Sequence, residues 1–458
     1  MNLSSRVTKL NNVSENKKGR YVLYWMQMFK RASHNHALNF AIQMANERRL
    51  PLVVYEGLTF SYPWANDRFH TFILEGVAEK YAEFSERGIR YIFYLQRNKR
   101  DRRKVVAQLA REAALLVTDD YPCFIIPRHN ERISQLELPV YAVDANGMVP
   151  LSALPKEEYA AYTIRPKINR LLPDLPRIID TPHVDVPGID VECPETRVSA
   201  ENIPQLVSEC DIDHSVKPSD RYRGGTKAAR QRLNHFVQNI LPHYDKTQKE
   251  PSVDGVSRLS PYLHFGFLSI QEVVAAVEKA KAPKSAKEAF LEQAIVRREL
   301  SFNFTRHNPH YDSLQSLPAW ALQTMRDHAD DPRPELLDAE KIETAETYDE
   351  LWNAAQRELL LTGHLHNYVR MLWGKRVIEW QRSYEMAFEL LVHLNNKYAL
   401  DGRDPNSYAG ILWCFGKHDR PWFDREIFGT IRYMTSQSMA KKFNARRYIG
   451  MFSDQLLF

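Results

Sequence analysis

Five short apolar runs alternate with amphipathic stretches over the first 150 residues, and this alternation constrains the fold more than any other feature. RYVLYWMQ (20–27), LPLVVYE (50–56), IRYIFYLQ (89–96), AALLVTDD (113–120) and LPVYAVDAN (138–146) have the continuity of buried strands. NHALNFAIQMANERR, DRFHTFILEGVAEKYAEFSERG and RRKVVAQLAREA lie between them and carry helical periodicity. Strands alternating with helices of this length predict an α/β, doubly wound parallel sheet. No GxGxxG turn follows the first strand, where Gln27-Met28-Phe29-Lys30 stands instead, so the usual dinucleotide fingerprint is missing. The switch point of such a sheet could still hold a ligand.

Beyond this region the character changes. From about 151 to 218 regularity is lost, and LLPDLPRIIDTPHVDVPGIDVECPETR reads as a proline-rich connection. After it come helical patterns almost throughout, among them GGTKAARQRLNHFVQNIL, SIQEVVAAVEKAK, SAKEAFLEQAIVRRELSFNF and the long TYDELWNAAQRELLLTGHLHNYVRMLWGKRVIEW. A chain of 458 residues is long for one core. The expected division is a polar tail over 1–18, an α/β domain over 19–180, a linker over 181–218 and a helical domain over 219–458.

Composition narrows the class. No apolar run approaches the length of about 18 residues that a membrane helix requires, and the N-terminus lacks a signal-peptide core. Cys123, Cys193, Cys210 and Cys414 are scattered without a CxxC pair, which disfavours a disulfide framework or zinc site and points to a reducing, intracellular setting. The net charge of +5 is concentrated between Lys417 and Arg447. There eight basic residues face only Asp419, Asp424 and Glu426, interleaved with Trp422, Phe423, Phe428, Tyr433 and Phe443. Such a segment suits phosphates and bases, although a solvated helical face would read the same way from charge alone.

Several features of the helical half bear on chemistry. VSRLSPYLHFG places hydroxyls around an arginine before a helix, which suits phosphate oxygens or an ordinary N-cap. Trp373 and Trp380 are seven apart and share a helical face about 10 Å apart along the axis, a spacing usual for core packing. Arg370, in an apolar helix, requires a carboxylate partner, and the loop LDGRDPN offers Asp401 and Asp404. That loop lacks the alternating acidic residues and later glutamate of a calcium loop, and no metal site is read anywhere.

Taken together, YVLYWMQ with NHAL, SRLSPYLHFG, RREL, TGHLHNYVRMLWGK, LDGRDPN and GTIRYM resemble the photolyase/cryptochrome family, specifically the class II cyclobutane pyrimidine dimer photolyases. The resemblance spans nearly the whole chain. It implies a Rossmann-like, antenna-type domain followed by an all-helical domain that binds a U-shaped FAD, with a deazaflavin-type antenna chromophore as a second candidate cofactor. Tyr244, Ser257, Arg258, Leu259 and Ser260 would hold the FAD phosphates and ribityl chain. Asn367 and Arg370 would line the flavin, Arg370 paired to Asp401 beside Gly402, and Asn395 would face flavin N5. Trp373, Trp352 and Trp380, in that order outward, would carry an electron to oxidised flavin, Trp380 nearest solvent. Met371 and Trp413 would contact the flipped-out dimer, Arg432 would insert into the gap left in DNA, and Lys441, Lys442 and Arg446 would hold phosphates.

One position departs from the family pattern. EQAIVRREL places Gln293 where the family carries a glutamate thought to bond the dimer. Glutamine keeps hydrogen-bonding capacity but cannot supply a proton in the same way, and helical geometry does not let Glu292 or Glu299 replace it. The implied activity is light-driven repair of pyrimidine dimers in damaged DNA by electron transfer from excited reduced FAD. The implied protein is a monomer, cytoplasmic and nucleoid-associated in a prokaryote or nuclear in a eukaryote. Two rivals remain: a cryptochrome-like photoreceptor that keeps FAD and the tryptophans without repair, and a flavin-free nucleic-acid-binding protein.

Overall fold

A computed structural model of the chain describes residues 3–101 and 103–453. Its N-terminal half is built on six strands: β1 (Val7–Lys9), β2 (Tyr21–Trp25), β3 (Leu52–Thr59), β4 (Arg90–Gln96), β5 (Ala113–Asp119) and β6 (Val140–Val143). They lie in the order β1-β6-β5-β2-β3-β4. β2 to β6 are parallel, with Leu23 opposite both Val53 and Leu116. Every residue of β5 is buried, as expected of a strand covered on both faces. The helices His36–Arg48 and Asp67–Ser85 are capped by Asn35 and Asn66, whose side-chain oxygens accept from backbone amides of the first turn.

The expected polar tail over 1–18 is partly structural. Leu3–Arg6 forms a 3-10 turn, and β1 runs antiparallel to β6 with Val7 opposite Val143. Arg6 explains the docking, since its guanidinium donates to the carbonyls of Asp144, Gly147 and Met148.

The missing glycine turn also has a structural counterpart. Chain order reverses between β2 and β5, the position where doubly wound sheets bind ligands. There the Asp119 carboxylate accepts from the amides of Gln27, Met28 and Phe29 at 2.8, 2.6 and 3.0 Å. These amides, which could have cradled a phosphate, are already satisfied by a carboxylate of the same chain.

The stretch from 151 to 218 is more ordered than its composition suggests. It contains the helix Ala161–Leu171, with Pro166 inside, and a short helix Ile203–Ser208. Thr196 also donates its amide to Phe93 on the edge strand β4, covering an edge that would otherwise be open.

The helical half corrects one further expectation. TYDELWNAAQRELLLTGHLHNYVRMLWGKRVIEW forms two helices, Glu350–Thr362 and Asn367–Trp380. Gly363, at φ 73°, ends the first in the left-handed conformation, and a Cβ there would press within 3.0 Å of Arg68. Arg68 belongs to the N-terminal half and is 3% exposed. It donates to the carbonyls of Lys217, Leu359, Leu360 and Tyr398, joining the halves at two helix ends. The halves also share an apolar core running from Val22 and Val54 to Phe265, Phe267 and Tyr408. A second core surrounds Trp352, Trp373 and Trp380.

Candidate active site

The site begins where Gly363 breaks the chain. The following residues, HLH, turn back so that Asn367–Trp380 crosses the helix Tyr384–Tyr398 and the loop at 400–404. Arg370 donates from Nη1 to Asn395 Oδ1 at 2.9 Å, and its Nη2 lies 3.5 Å from Asp401 Oδ1. Burial pushes the Asp401 carboxyl up, yet Arg370, His364 and the Ser260 hydroxyl outweigh it and hold it below the usual carboxylate range. Asp401 is therefore an anion within the protein.

The second acid of the loop does different work. Asp404 caps the helix Pro405–Trp413 through the Asn406 amide, while its other oxygen accepts from Tyr121 at 2.8 Å and pairs with His264 at 3.2 Å. Between the two acids, Arg403 takes a left-handed conformation with φ 62°. Its guanidinium donates to the Asn396 carbonyl and lies 3.7 Å from the Phe69 ring centroid. Gly402 packs against the end of the Tyr384–Tyr398 helix, since a Cβ there would fall 2.8 Å from the Asn395 carbonyl. The loop fastens one arginine on the site side and the α/β half on the other.

Around this centre Tyr222 Oη and His366 Nε2 are buried without hydrogen-bond partners, while Arg258 Nε and Asp401 Oδ1 have only long ion-pair partners, Asp254 at 3.3 Å and Arg370 at 3.5 Å. They form one neighbourhood. The rings of Tyr222 and His364 are 6.1 Å apart, Arg258 acts electrostatically on both Tyr222 and His366, and Asp401 acts on Tyr222. Burial pushes His366 down to about 4, so it is neutral at physiological pH. Unpaired buried groups cost about 1–3 kcal/mol each, and a polar ligand would relieve that cost. The donor set of guanidinium, phenol and imidazole fits a phosphorylated, polyhydroxylated group such as FAD.

The other residues singled out in the sequence are placed as follows. Ser257, Arg258 and Leu259 lead into the short helix Ser260–His264, with Arg258 left-handed at φ 53°. Tyr244 is buried edge-on against Phe236 and Phe290, and burial raises its hydroxyl to about 12. Asn367 is the exposed first residue of its helix. Asn395 is buried, its Oδ1 taken by Arg370 and its amide donating to Asn396.

The three tryptophans are buried together. Trp373 Nε1 donates to Gln356, and Trp352 Nε1 donates to the Trp373 carbonyl at 2.9 Å. The rings of Trp352 and Trp380 are 5.1 Å apart at 75°. Trp380, expected nearest solvent, is 0% exposed. Tyr348 covers it, with its ring 5.8 Å away.

Next to Arg370 in sequence, Met371 meets Cys414, their sulfurs 3.9 Å apart. Trp413 carries the Arg297 guanidinium 5.3 Å from its ring. Arg297 ends a π-helical segment, Glu292–Arg297, which presents Gln293 to solvent. π-Turns occur frequently at functional sites. Glu292 is held by Arg165 and Arg297, and Glu299 is buried against the Val149 amide, so both neighbouring carboxylates are engaged elsewhere.

The basic segment rests on two supports. Arg432 and Arg420 flank the exposed Trp422 ring at 5.0 and 5.3 Å, and Phe423 beside it is 89% exposed. Lys441 and Lys442 are exposed on the turn between the last two short helices and Arg446 on the second of them, and in that turn Phe443 packs on Tyr368 and the Asn444 amide donates to Glu250. Sequence reasoning missed Tyr222, Gln356, Glu358 and the His364/His366 pair. TGHLHN carried a signal for the histidines, whereas Glu358, buried under His364 and Tyr448, sits in an unremarkable helical stretch.

A sheet domain joined to a helical domain, with an arginine–carboxylate centre beside unpaired buried polar atoms and a basic aromatic surface, has the features of a protein that holds a polar cofactor and meets phosphates. The DNA photolyase family model matches residues 22–187. A deoxyribodipyrimidine photo-lyase of Methanothermobacter thermautotrophicus is 37% identical over 97% of this chain and 97% of its own length. The fold matches a class III photolyase from Agrobacterium tumefaciens with a TM-score of 0.70 at 17% identity, over 96% of this chain and 88% of that one. It also matches an archaeal photolyase from Sulfolobus tokodaii described with two FAD molecules, with a TM-score of 0.66 at 15% identity, over 95% and 90% of the two chains. The chain belongs to the DNA photolyase family. That membership makes it a lyase of light-driven DNA repair and implies FAD as its cofactor.

Proposed function

We propose that the chain repairs cyclobutane pyrimidine dimers in DNA, flipping the lesion out of the duplex and working as a monomer in the manner of class II photolyases. The observation that carries this reading is the adjacency of Arg370 and Met371 on one helix. Arg370 turns into the polar centre with Asp401 and Asn395, while Met371 meets Cys414 at the end of the helix bearing Trp413. One turn of helix thus borders both a polar centre suited to the cofactor and an apolar wall suited to two unstacked neighbouring bases.

When bound, FAD supplies light-driven one-electron chemistry. Tyr222 and His366 offer unpaired polar atoms for it and Arg258, paired only to Asp254, a guanidinium, with Tyr244, Ser257, Leu259, Ser260 and Asn367 completing the lining. Asp401 fixes Arg370 in place, and Asn395, locked between Arg370 and Asn396, presents a preset amide to the same centre. Met371 and Trp413 exclude water from the lesion and restore stacking contact to its bases. The Arg420–Trp422–Arg432 stack addresses the opened duplex, and Lys441, Lys442 and Arg446 hold backbone phosphates. Trp373, Trp352 and Trp380 form the route by which electrons reach the cofactor from outside. A deazaflavin-type antenna in the sheet domain is part of this reading, and the structural neighbour described with two FAD molecules supports a second chromophore of some kind.

The engagement of Glu292 and Glu299 leaves Gln293 without a nearby free carboxylate, and this favours the photoreceptor as second reading. Oligonucleotides carrying a cyclobutane dimer, a pyrimidine–pyrimidone adduct or neither separate the possibilities. With chemically reduced protein, chromatography should show light-dependent loss of the cyclobutane dimer alone. Repair of the adduct alone would reassign the lesion, and repair of neither would favour the photoreceptor.

A further inference from the structure

We propose that Tyr348 is the terminal electron donor of the tryptophan chain, an inference that rests on the electron route assigned above. All three tryptophans are buried, so a chain ending at Trp380 would leave an oxidised indole sealed inside the protein. Tyr348 stands between the Trp380 ring and solvent, 54% exposed. Its ring is 5.8 Å from that of Trp380 at 72°, and its Oη accepts from Trp380 Nε1 at 2.9 Å. Oη also accepts from Arg376 Nη2 at 2.8 Å. Both of these bonds occupy lone pairs, so the phenolic hydrogen is left to point toward water. Arg376 is itself fixed by Asp349 and Glu379, which holds the assembly in register.

The step balances within these groups. Oxidised Trp380 takes one electron from Tyr348, the Oη–H bond breaks, and the proton leaves to bulk water. Trp380 is restored and Tyr348 is left as a neutral phenoxyl radical. A thiol in solution then returns one hydrogen atom to Oη as its S–H bond breaks, and the thiyl radical left behind couples with a second one to a disulfide. Moving the oxidised site to an exposed side chain separates it from the buried centre and opens it to soluble reductants.

The test uses flavin-loaded, oxidised protein illuminated without thiol, with radicals identified by electron paramagnetic resonance after ring-deuterated tyrosine labelling. The native chain should show a tyrosyl signal narrowed by the label. Tyr348→Phe, which keeps the ring, should lose that signal, retain a tryptophanyl signal and lower the yield of long-lived radicals severalfold. A tyrosyl signal that persists in Tyr348→Phe, or a native chain with tryptophanyl radical only, overturns the proposal and leaves the tryptophan route intact. Absence of any light-induced aromatic radical in the native chain, with Trp373→Phe indistinguishable from it, overturns the route and the proposal together.

Discussion

At the seam between the halves, the single side chain of Glu299 is pH-sensitive. Burial pushes the Glu299 carboxyl up to about 7, despite Arg298 and the Val149 amide. The folded protein therefore holds a proton there that the unfolded chain releases near pH 4.5, and the contribution of this group to stability falls as pH rises from about 4.5 to 7. Glu299→Gln keeps the hydrogen bond without the charge. Its stability relative to the native chain should climb through that window by on the order of 2 kcal/mol and then stay level. Denaturant titrations at several pH values measure this, and a flat difference would contradict it. Gln293 is the second residue whose identity matters by itself. Restoring a carboxyl with Gln293→Glu should raise dimers repaired per photon less than tenfold, since one hydrogen-bonding group replaces another at about 1 kcal/mol. Flavin absorbance and thermal stability should not move. An unchanged photon yield would place this position away from the lesion.

Among the elements, the helix Pro405–Trp413 shows how cap, seam and site depend on one residue. Asp404→Ala removes the cap and strands the buried Tyr121 hydroxyl and His264, so it should cost about 3 kcal/mol or more. Equilibrium unfolding monitored by circular dichroism reads that loss, and a change under about 1 kcal/mol would mean the cap and the seam bonds are replaceable. The strands β2 to β6 were legible because continuous apolar runs have few other fates. β1 was not, because three residues of mixed polarity pair only through their backbone and through Arg6. Pro166 concealed the helix Ala161–Leu171, and Gly363 was the unheeded signal that one long helical pattern was two. At the site, Arg370, Asn395 and Asp401 stood out once the loop was set beside the helix. Tyr222 and Glu358 did not, since only tertiary packing gathers residues so far apart.

For the whole molecule, the two halves behave as one folded unit through Arg68, Arg403 and Asp404. No helix among the described residues is long and apolar enough to cross a membrane. Burial pushes His70 down to about 3, and His366 and His418 down to about 4. Below about pH 6.5 the unfolded chain binds protons that these folded sites refuse, so stability falls as pH drops. Three such groups outweigh the opposite contribution of Glu299, and several kcal/mol should be lost between about pH 6.5 and 4. Calorimetry across that range would show a falling midpoint; a constant midpoint would contradict the burial of these histidines. The proposed repair of cyclobutane dimers requires the polar centre and the apolar wall to meet at Arg370 and Met371. Its most direct test follows the ultraviolet absorbance of pyrimidines while chemically reduced protein and a molar excess of dimer-containing DNA are illuminated. Absorbance should recover beyond one equivalent, in light only; no recovery with flavin bound, or equal recovery in darkness, would overturn the proposed repair.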